Sequence, residues 1–270
     1  MKEQEHVVVA VQDLVKRFGE NIAVDHVNFT VAEGEVFGLL GPNGAGKSTI
    51  IKILTTLLPP TAGRASVEGF DVTRQAMAVR RRIGYVPQVL SADGNLTGYE
   101  NLLVFARLYD LPRSERAVRV REALAFMGLQ DVGDRLVRTY SGGMIRRLEV
   151  AQAMLHQPEV LFLDEPTVGL DPIARNAVWE HLSRLRTEAG MTIFLTTHYM
   201  EEADHLCDRV AILHLGQMRA IGSPAELKVS IGDADATLDE VFAYYTGNTL
   251  ESGGSYRETV RTRRTARRLG

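Results

Sequence analysis

The 270-residue chain has one cysteine, Cys207, so no disulfide within the chain can staple it, which suits a reducing compartment. No apolar run approaches the roughly 18 residues needed to span a bilayer, so a membrane role would have to come through a partner. The opening Met1-Lys2-Glu3-Gln4-Glu5-His6 is charged and leads into only a short apolar stretch, which does not read as a signal peptide. Positive charge is not in excess: 31 basic against 34 acidic residues give a net charge of −3 and no whole-protein case for nucleic acid. No His/Cys cluster suggests zinc, and there is no Asn-Lys-x-Asp motif for guanine and no internal repeat. What is present is 45% hydrophobic residues, enough for a real core and against global disorder.

The apolar patterning alternates between strand and helix. Residues 7–11 and 27–31 read as strands, and 35–40 as a short buried strand. Residues 47–58 have helical spacing stopped by Pro59-Pro60. The middle is helical, over 97–109 and 114–127, the second stretch ended by Gly128. A helix starting at Ser141 runs to about 156. Strands at 160–163, 191–196 and 210–213 then alternate with helices at 172–188 and 200–207. Apolar strands alternating with helices imply an α/β fold with a largely parallel sheet covered on both faces. A last helix is expected over 238–245, and the glycine-, serine- and arginine-rich residues from 251 onward read as a flexible tail.

Three segments carry chemistry. Gly41-Pro42-Asn43-Gly44-Ala45-Gly46-Lys47-Ser48 fits the P-loop pattern G-x-x-x-x-G-K-[ST], between a strand and a helix as that pattern requires. Its glycines let backbone N–H groups turn onto phosphate oxygens, and the helix adds its positive end. Lys47 would neutralise the β- and γ-phosphates, Ser48 would ligate Mg²⁺, and Thr49 is a further candidate phosphate contact. The strand Val160-Leu161-Phe162-Leu163 ends in Asp164-Glu165. Asp164 is the candidate Mg²⁺ residue, through water, and Glu165 the candidate base for the attacking water. Ser141-Gly142-Gly143 opens a helix with a good N-cap and exposed N–H groups, a second anion site that alone would pass for an ordinary helix start. His198 follows a strand and could touch a γ-phosphate; the other six histidines read as structural or surface.

In this order and spacing, the segments resemble the nucleotide-binding subunit of an ATP-binding cassette (ABC) transporter, over residues 7 to about 222. The resemblance implies a P-loop NTPase of the ABC ATPase type, with a RecA-like core of mainly parallel sheet, an N-terminal antiparallel β subdomain and an α-helical signature subdomain. It implies ATP and Mg²⁺ as ligands. Phe18 matches the aromatic that stacks on adenine, and Gly41 to Thr49 match Walker A. Gln88 matches the glutamine that senses Mg²⁺ and the transmembrane partner. Ser141, Gly142 and Gly143 match the signature, Asp164 and Glu165 Walker B and the base. Gly169-Leu170-Asp171 match the D-loop and His198 the switch histidine. Phe18 stands where tyrosine is commoner. Tyr140 and Met144 replace leucine and glutamine beside the signature, and Met144 cannot hydrogen-bond as glutamine would.

The segments 142–149, 165–171 and 236–242 resemble the daunorubicin-resistance type of ABC-2 exporter ATPase, in which the permease is commonly a separate chain. The resemblance thus implies an ATP-hydrolysing subunit that powers export through a separate transmembrane permease, without nucleic acid. It would lie in the cytoplasm on the inner face of the membrane and close head to tail with a second copy on ATP. Residues 89–99 are the candidate permease contact. The expected division is an ATPase domain at 5–222 with a helical subdomain at about 90–157, a helical extension at 223–247, and an Arg-rich tail at 248–270. A non-transport ABC ATPase is the alternative, but such proteins usually carry two cassettes or a long coiled-coil insertion. A P-loop kinase or GTPase leaves Ser141-Gly142-Gly143 unexplained, and a non-catalytic binder does not need Lys47, Asp164 and Glu165 together.

Overall fold

A computed structural model describes residues 6–247. Strands β1 (Val7–Phe18) and β2 (Asn21–Ala32) form a hairpin, and β3 (Val36–Leu40) runs into helix α1 (Lys47–Leu54). Then come β4 (Ala62–Val67), β5 (Phe70–Asp71), α2 (Ala76–Arg80) and β6 (Ile83–Val86). Three helices follow: α3 (Gly98–Leu108), α4 (Arg116–Phe126) and α5 (Gly142–Met154). The rest alternates through β7 (Val160–Asp164), α6 (Pro172–Ala189), β8 (Thr192–Thr197), α7 (Met200–Leu206), β9 (Arg209–His214) and β10 (Gln217–Gly222). Helices α8 (Pro224–Ser230) and α9 (Leu238–Thr246) close the described chain. The expected arginine-rich tail lies outside the described residues.

The strands build two sheets. One is antiparallel, in the order β2-β1-β4-β5. The other has the order β10-β9-β3-β8-β7-β6 and is parallel except where β10 returns along β9. Side chains alternate across the second sheet with period two. Phe37, Leu39, Val160, Phe162, Phe194 and Leu213 face one core, shared with α1 and the antiparallel sheet. Val36, Leu40, Leu161, Leu163, Ile193 and Leu195 face the other, shared with the helices. Phe29 of β2 stacks on Phe37 at 5.2 Å between ring centroids, and Phe37 on Phe194 at 5.5 Å, so aromatic packing joins the two sheets.

The expected helices at 97–109, 114–127 and 172–188 appear as α3, α4 and α6, and the helix from Ser141 appears as α5. Helix caps explain their starts: Thr97 and Glu100 form a reciprocal box at α3, and Asp171 caps α6 ahead of Pro172. The helix expected over 47–58 stops at Leu54, short of the prolines. Thr56 adopts a left-handed φ of 64°, and the Leu57 and Leu58 N–H groups both return to the Lys52 carbonyl. The apolar spacing continues past the hydrogen-bonded helix because Leu58 still packs on the core. Strands β4, β6 and β10 are absent from the sequence reading: β6 is only four residues long, and β4 begins Ala-Gly-Arg, without apolar alternation.

Candidate nucleotide site

The carboxyl ends of β3, β8 and β7 lie side by side, which brings the loop after β3, His198 after β8, and Asp164-Glu165 at the end of β7 to one edge. Ligands of open α/β sheets bind at this edge. The Gly41 N–H donates to the Thr197 carbonyl at 3.2 Å, tying the start of the glycine loop to β8. At the other end of the loop Gly46 has φ 107°, and an added Cβ would lie 2.4 Å from the Ala23 carbonyl oxygen. Only glycine fits there.

A cleft of about 150 Å³ is lined by Ala23, Pro42, Asn43, Gly44, Gly46, Lys47, Ser48, Thr49, Gln88 and Glu165. The fold thus brings Gln88, which follows β6, to the loop after β3. Lys47 donates to the Gly41 carbonyl at 2.7 Å and to Pro42 at 3.2 Å, and forms an ion pair with Glu165 at 2.9 Å. The other Glu165 oxygen is 2.6 Å from His198 Nδ1. The Ser48 hydroxyl donates to Asp164 Oδ1 at 3.1 Å. That hydroxyl and that carboxylate, meeting beside a phosphate loop, are the hard oxygen donors that suit Mg²⁺. On β6, burial and then the Asp164 charge push the Tyr85 hydroxyl up to about 12.

Several supporting residues escaped the sequence reading. Thr196 donates its hydroxyl to Asp164 at 2.6 Å and accepts from the Glu165 backbone N–H at 3.0 Å, so it orients the Asp164 carboxylate and holds the Glu165 backbone. Its place before Thr197-His198 was the available signal. Arg146 is the larger surprise. It is fully buried on α5 and donates to the carbonyls of Pro87 at 2.7 Å and Gln88 at 2.9 Å, while pairing with Glu149 at 3.0 Å. Glu149 in turn accepts from the Ser91 backbone N–H and, at 3.1 Å, from its hydroxyl. Together these two charges clamp the segment that carries Gln88 onto α5.

The remaining sequence candidates stand apart from this cleft. Ser141, Gly142, Gly143, Asp171 and Phe18 do not line it. Ser141 caps α5, accepting from the Met144 N–H at 3.3 Å. The Met144 sulfur accepts from the Ser141 N–H at 3.5 Å, a weaker bond than the glutamine it replaces would make, and completes a weak capping box. Asp171 caps α6 by accepting from Ala174 N–H at 2.9 Å. Phe18, 49% exposed at the end of β1, lies under the Lys16 ammonium at 5.1 Å.

A family model described as ABC transporter matches residues 24–168, more than half of the chain. The chain belongs to the ABC transporter family. Its sequence is 47% identical over 224 residues to the daunorubicin resistance ATP-binding protein DrrA3 of Streptomyces coeruleorubidus, covering 83% of this chain and 71% of that one. Among solved structures, an ATP-binding subunit of an ABC transporter superposes with a TM-score of 0.77 at 31% identity, over 88% of this chain and 99% of the other. The ATP-binding cassette MJ0796, a dimer in a post-hydrolysis state with ADP and Pi, superposes with a TM-score of 0.70 at 28% identity, over 80% and 98%. As an ABC transporter protein the chain is an ATP-binding subunit and an ATPase, with the α/β architecture that its sequence implies. Among the described residues no helix is long and apolar enough to cross a membrane.

Proposed function

We propose that this ATPase powers export of a drug-like compound through a separate membrane permease, and that two copies close head to tail around ATP to do so. The observation that carries the reading is the separation of the two anion-binding starts. The cleft with the glycine loop, Gln88 and Glu165 does not include Ser141, Gly142 or Gly143 at the start of α5. A second copy supplies the missing half. The relative named for daunorubicin resistance supports a drug as cargo, and the dimer of the MJ0796 cassette supports the pairing.

In this reading residues 41–49, through the backbone N–H groups from Asn43 onward, and the Lys47 ammonium hold the β- and γ-phosphates, while Phe18 stacks on the base. Ser48, Gln88 and Asp164 are the residues that would hold Mg²⁺, which when bound spreads positive charge over the phosphate oxygens. Glu165 polarises the attacking water, and His198 holds Glu165 and meets the γ-phosphate. Ser141, Gly142 and Gly143 of each copy contact the γ-phosphate held by the other, with Asp171 beside that contact. Hydrolysis removes the shared phosphate and lets the copies part.

Val89 and Leu90, 77% and 46% exposed beside Gln88, form the apolar tip of the proposed permease contact. The subunit would then sit at the inner face of the membrane. Residues 5–222 form the ATPase unit with 90–157 as its helical subdomain, and 223–247 an extension. The test is light scattering of Glu165→Gln with and without ATP. An ATP-dependent doubling of mass is expected, and a monomer at saturating ATP would remove the sandwich.

A further inference from the structure

Glu165 occupies a strained place. Its φ is 52°, a left-handed value that a non-glycine residue holds only when its neighbours fix it. On the amino side the fixing is plain: the Glu165 N–H donates to both the carbonyl and the hydroxyl of Thr196, at 3.1 and 3.0 Å. On the carboxyl side the chain passes through Pro166 to Thr167, which is fully buried. The Thr167 hydroxyl donates to Glu202 Oε1 at 2.7 Å.

Glu202 itself is 0% exposed, on α7. The same oxygen accepts from the Trp179 indole N–H of α6 at 3.0 Å. Burial pushes the Glu202 carboxyl upward, opposed by the side chains of Thr197, Thr167 and Trp179. A carboxyl group buried among neutral donors is costly to keep. The geometry gives a reason for it. Helix α7 begins two residues after His198, and α6 begins after Asp171, so one acceptor oxygen joins the turn that carries Glu165 to the helices that follow the other two site loops.

We propose that Glu202 is a positioning residue for ATP hydrolysis: by holding Thr167 it keeps the Glu165 turn in register with His198. The 2.6 Å contact between Glu165 and His198 is the geometry at stake. The inference rests on Glu165 being the base. It assigns Glu202 no contact with ATP, so nucleotide affinity belongs to the glycine loop and is independent of it.

The test compares Thr167→Val, Glu202→Ala, Glu202→Gln and Glu165→Gln in the full chain, measuring kcat, ATP Kd and the thermal midpoint. Thr167→Val is nearly isosteric and removes one hydrogen bond, so it keeps the test open if Glu202→Ala folds poorly. Small misplacements of a reacting group cost up to about 100-fold in rate, and a drop of about tenfold in kcat is expected for Thr167→Val and for Glu202→Ala, with Kd within about twofold. Glu202→Gln keeps the acceptor oxygen and recovers kcat to within about threefold of the parent. Trp179, the only tryptophan of the chain, reads the same bond directly. Its emission shifts in Glu202→Ala and returns in Glu202→Gln. Unchanged kcat in Thr167→Val and Glu202→Ala, or a loss shared equally between kcat and Kd, overturns the proposal. Normal turnover by Glu165→Gln is a different failure, because it removes the base rather than its support.

Discussion

Lys47 and Glu165 form an ion pair 2.9 Å long with both side chains 4% exposed, inside the cleft that would take the triphosphate. The cation of the glycine loop is therefore held by the residue read as the base. In the proposed mechanism, phosphate oxygens would draw Lys47 away from Glu165 and leave the carboxylate with His198 and free for water, so that binding and arming of the base would be one event.

Substituting Glu165 tests that exchange. Glu165→Gln removes the competing charge, so ATP binds at least as tightly as in the parent. Turnover falls at least ~100-fold, the lower range for loss of a general base. Titration calorimetry and steady-state ATPase assays measure the two. Lys47→Ala does the reverse: it leaves Glu165 buried without its cation and removes ATP binding itself. A Glu165→Gln variant that hydrolyses normally would assign the base elsewhere.

Ser141 has two roles that separate cleanly. As the N-cap of α5 it contributes about 1 kcal/mol, which Ser141→Ala loses. As the proposed phosphate contact for a partner copy it would govern association. Ser141→Ala is therefore expected to unfold slightly earlier, to bind ATP as a monomer with ordinary affinity, and to dimerise weakly when combined with Glu165→Gln. Dimerisation equal to that of Glu165→Gln alone would argue against the contact.

The buried pair of Arg146 and Glu149 carries a stability prediction. Removing one partner leaves an uncompensated charge, which costs about 3–5 kcal/mol. Glu149→Ala should lose that much in urea unfolding. It also frees the Ser91 N–H, so hydrogen exchange should rise across residues 88–91, which include the exposed Val89. A loss below about 1 kcal/mol, the scale of surface pairs, would mean that the clamp is not formed.

Acid sensitivity follows from two half-buried histidines. His156 stacks on Tyr109 with centroids 3.9 Å apart, and its pKa is lowered by burial. His181 is lowered by burial and by the charges of Arg147 and Arg184. The unfolded chain takes up protons near the ordinary histidine value of 6.5 that the folded chain refuses. Stability is thus complete above that pH and declines as pH falls through it. Exposed His26, raised by Asp13, pulls the other way. His156→Phe keeps the stack and cannot titrate, so urea midpoints between pH 7.5 and 6.0 should vary less in it than in the parent.

The sequence displayed the parts of the site that are local and hid those that are not. Gly41 to Ser48, Asp164-Glu165 and the start of α5 were legible because each is a strand end or a helix start with its own short pattern. The pairing of Lys47 with Glu165, and of Ser48 with Asp164, joins residues more than a hundred positions apart, so only strand order could reveal it. Arg146, Glu149 and Glu202 were illegible for another reason. Charged residues on helices are usually solvated, and nothing in their spacing signals burial. The ends of α1 and the brief β6 were blurred because apolar residues pack on a core whether or not they lie in a hydrogen-bonded element. Met144, which cannot hydrogen-bond as glutamine would, still fills the cap through its thioether, a poor acceptor.

The most direct measurement is a structure of the Glu165→Gln protein with ATP and Mg²⁺ in its closed form. The account predicts two copies related head to tail, each γ-phosphate lying between Lys47 of one copy and the Ser141 hydroxyl of the other at hydrogen-bonding distance. A closed, ATP-loaded structure in which Ser141 is remote from every γ-phosphate would contradict it.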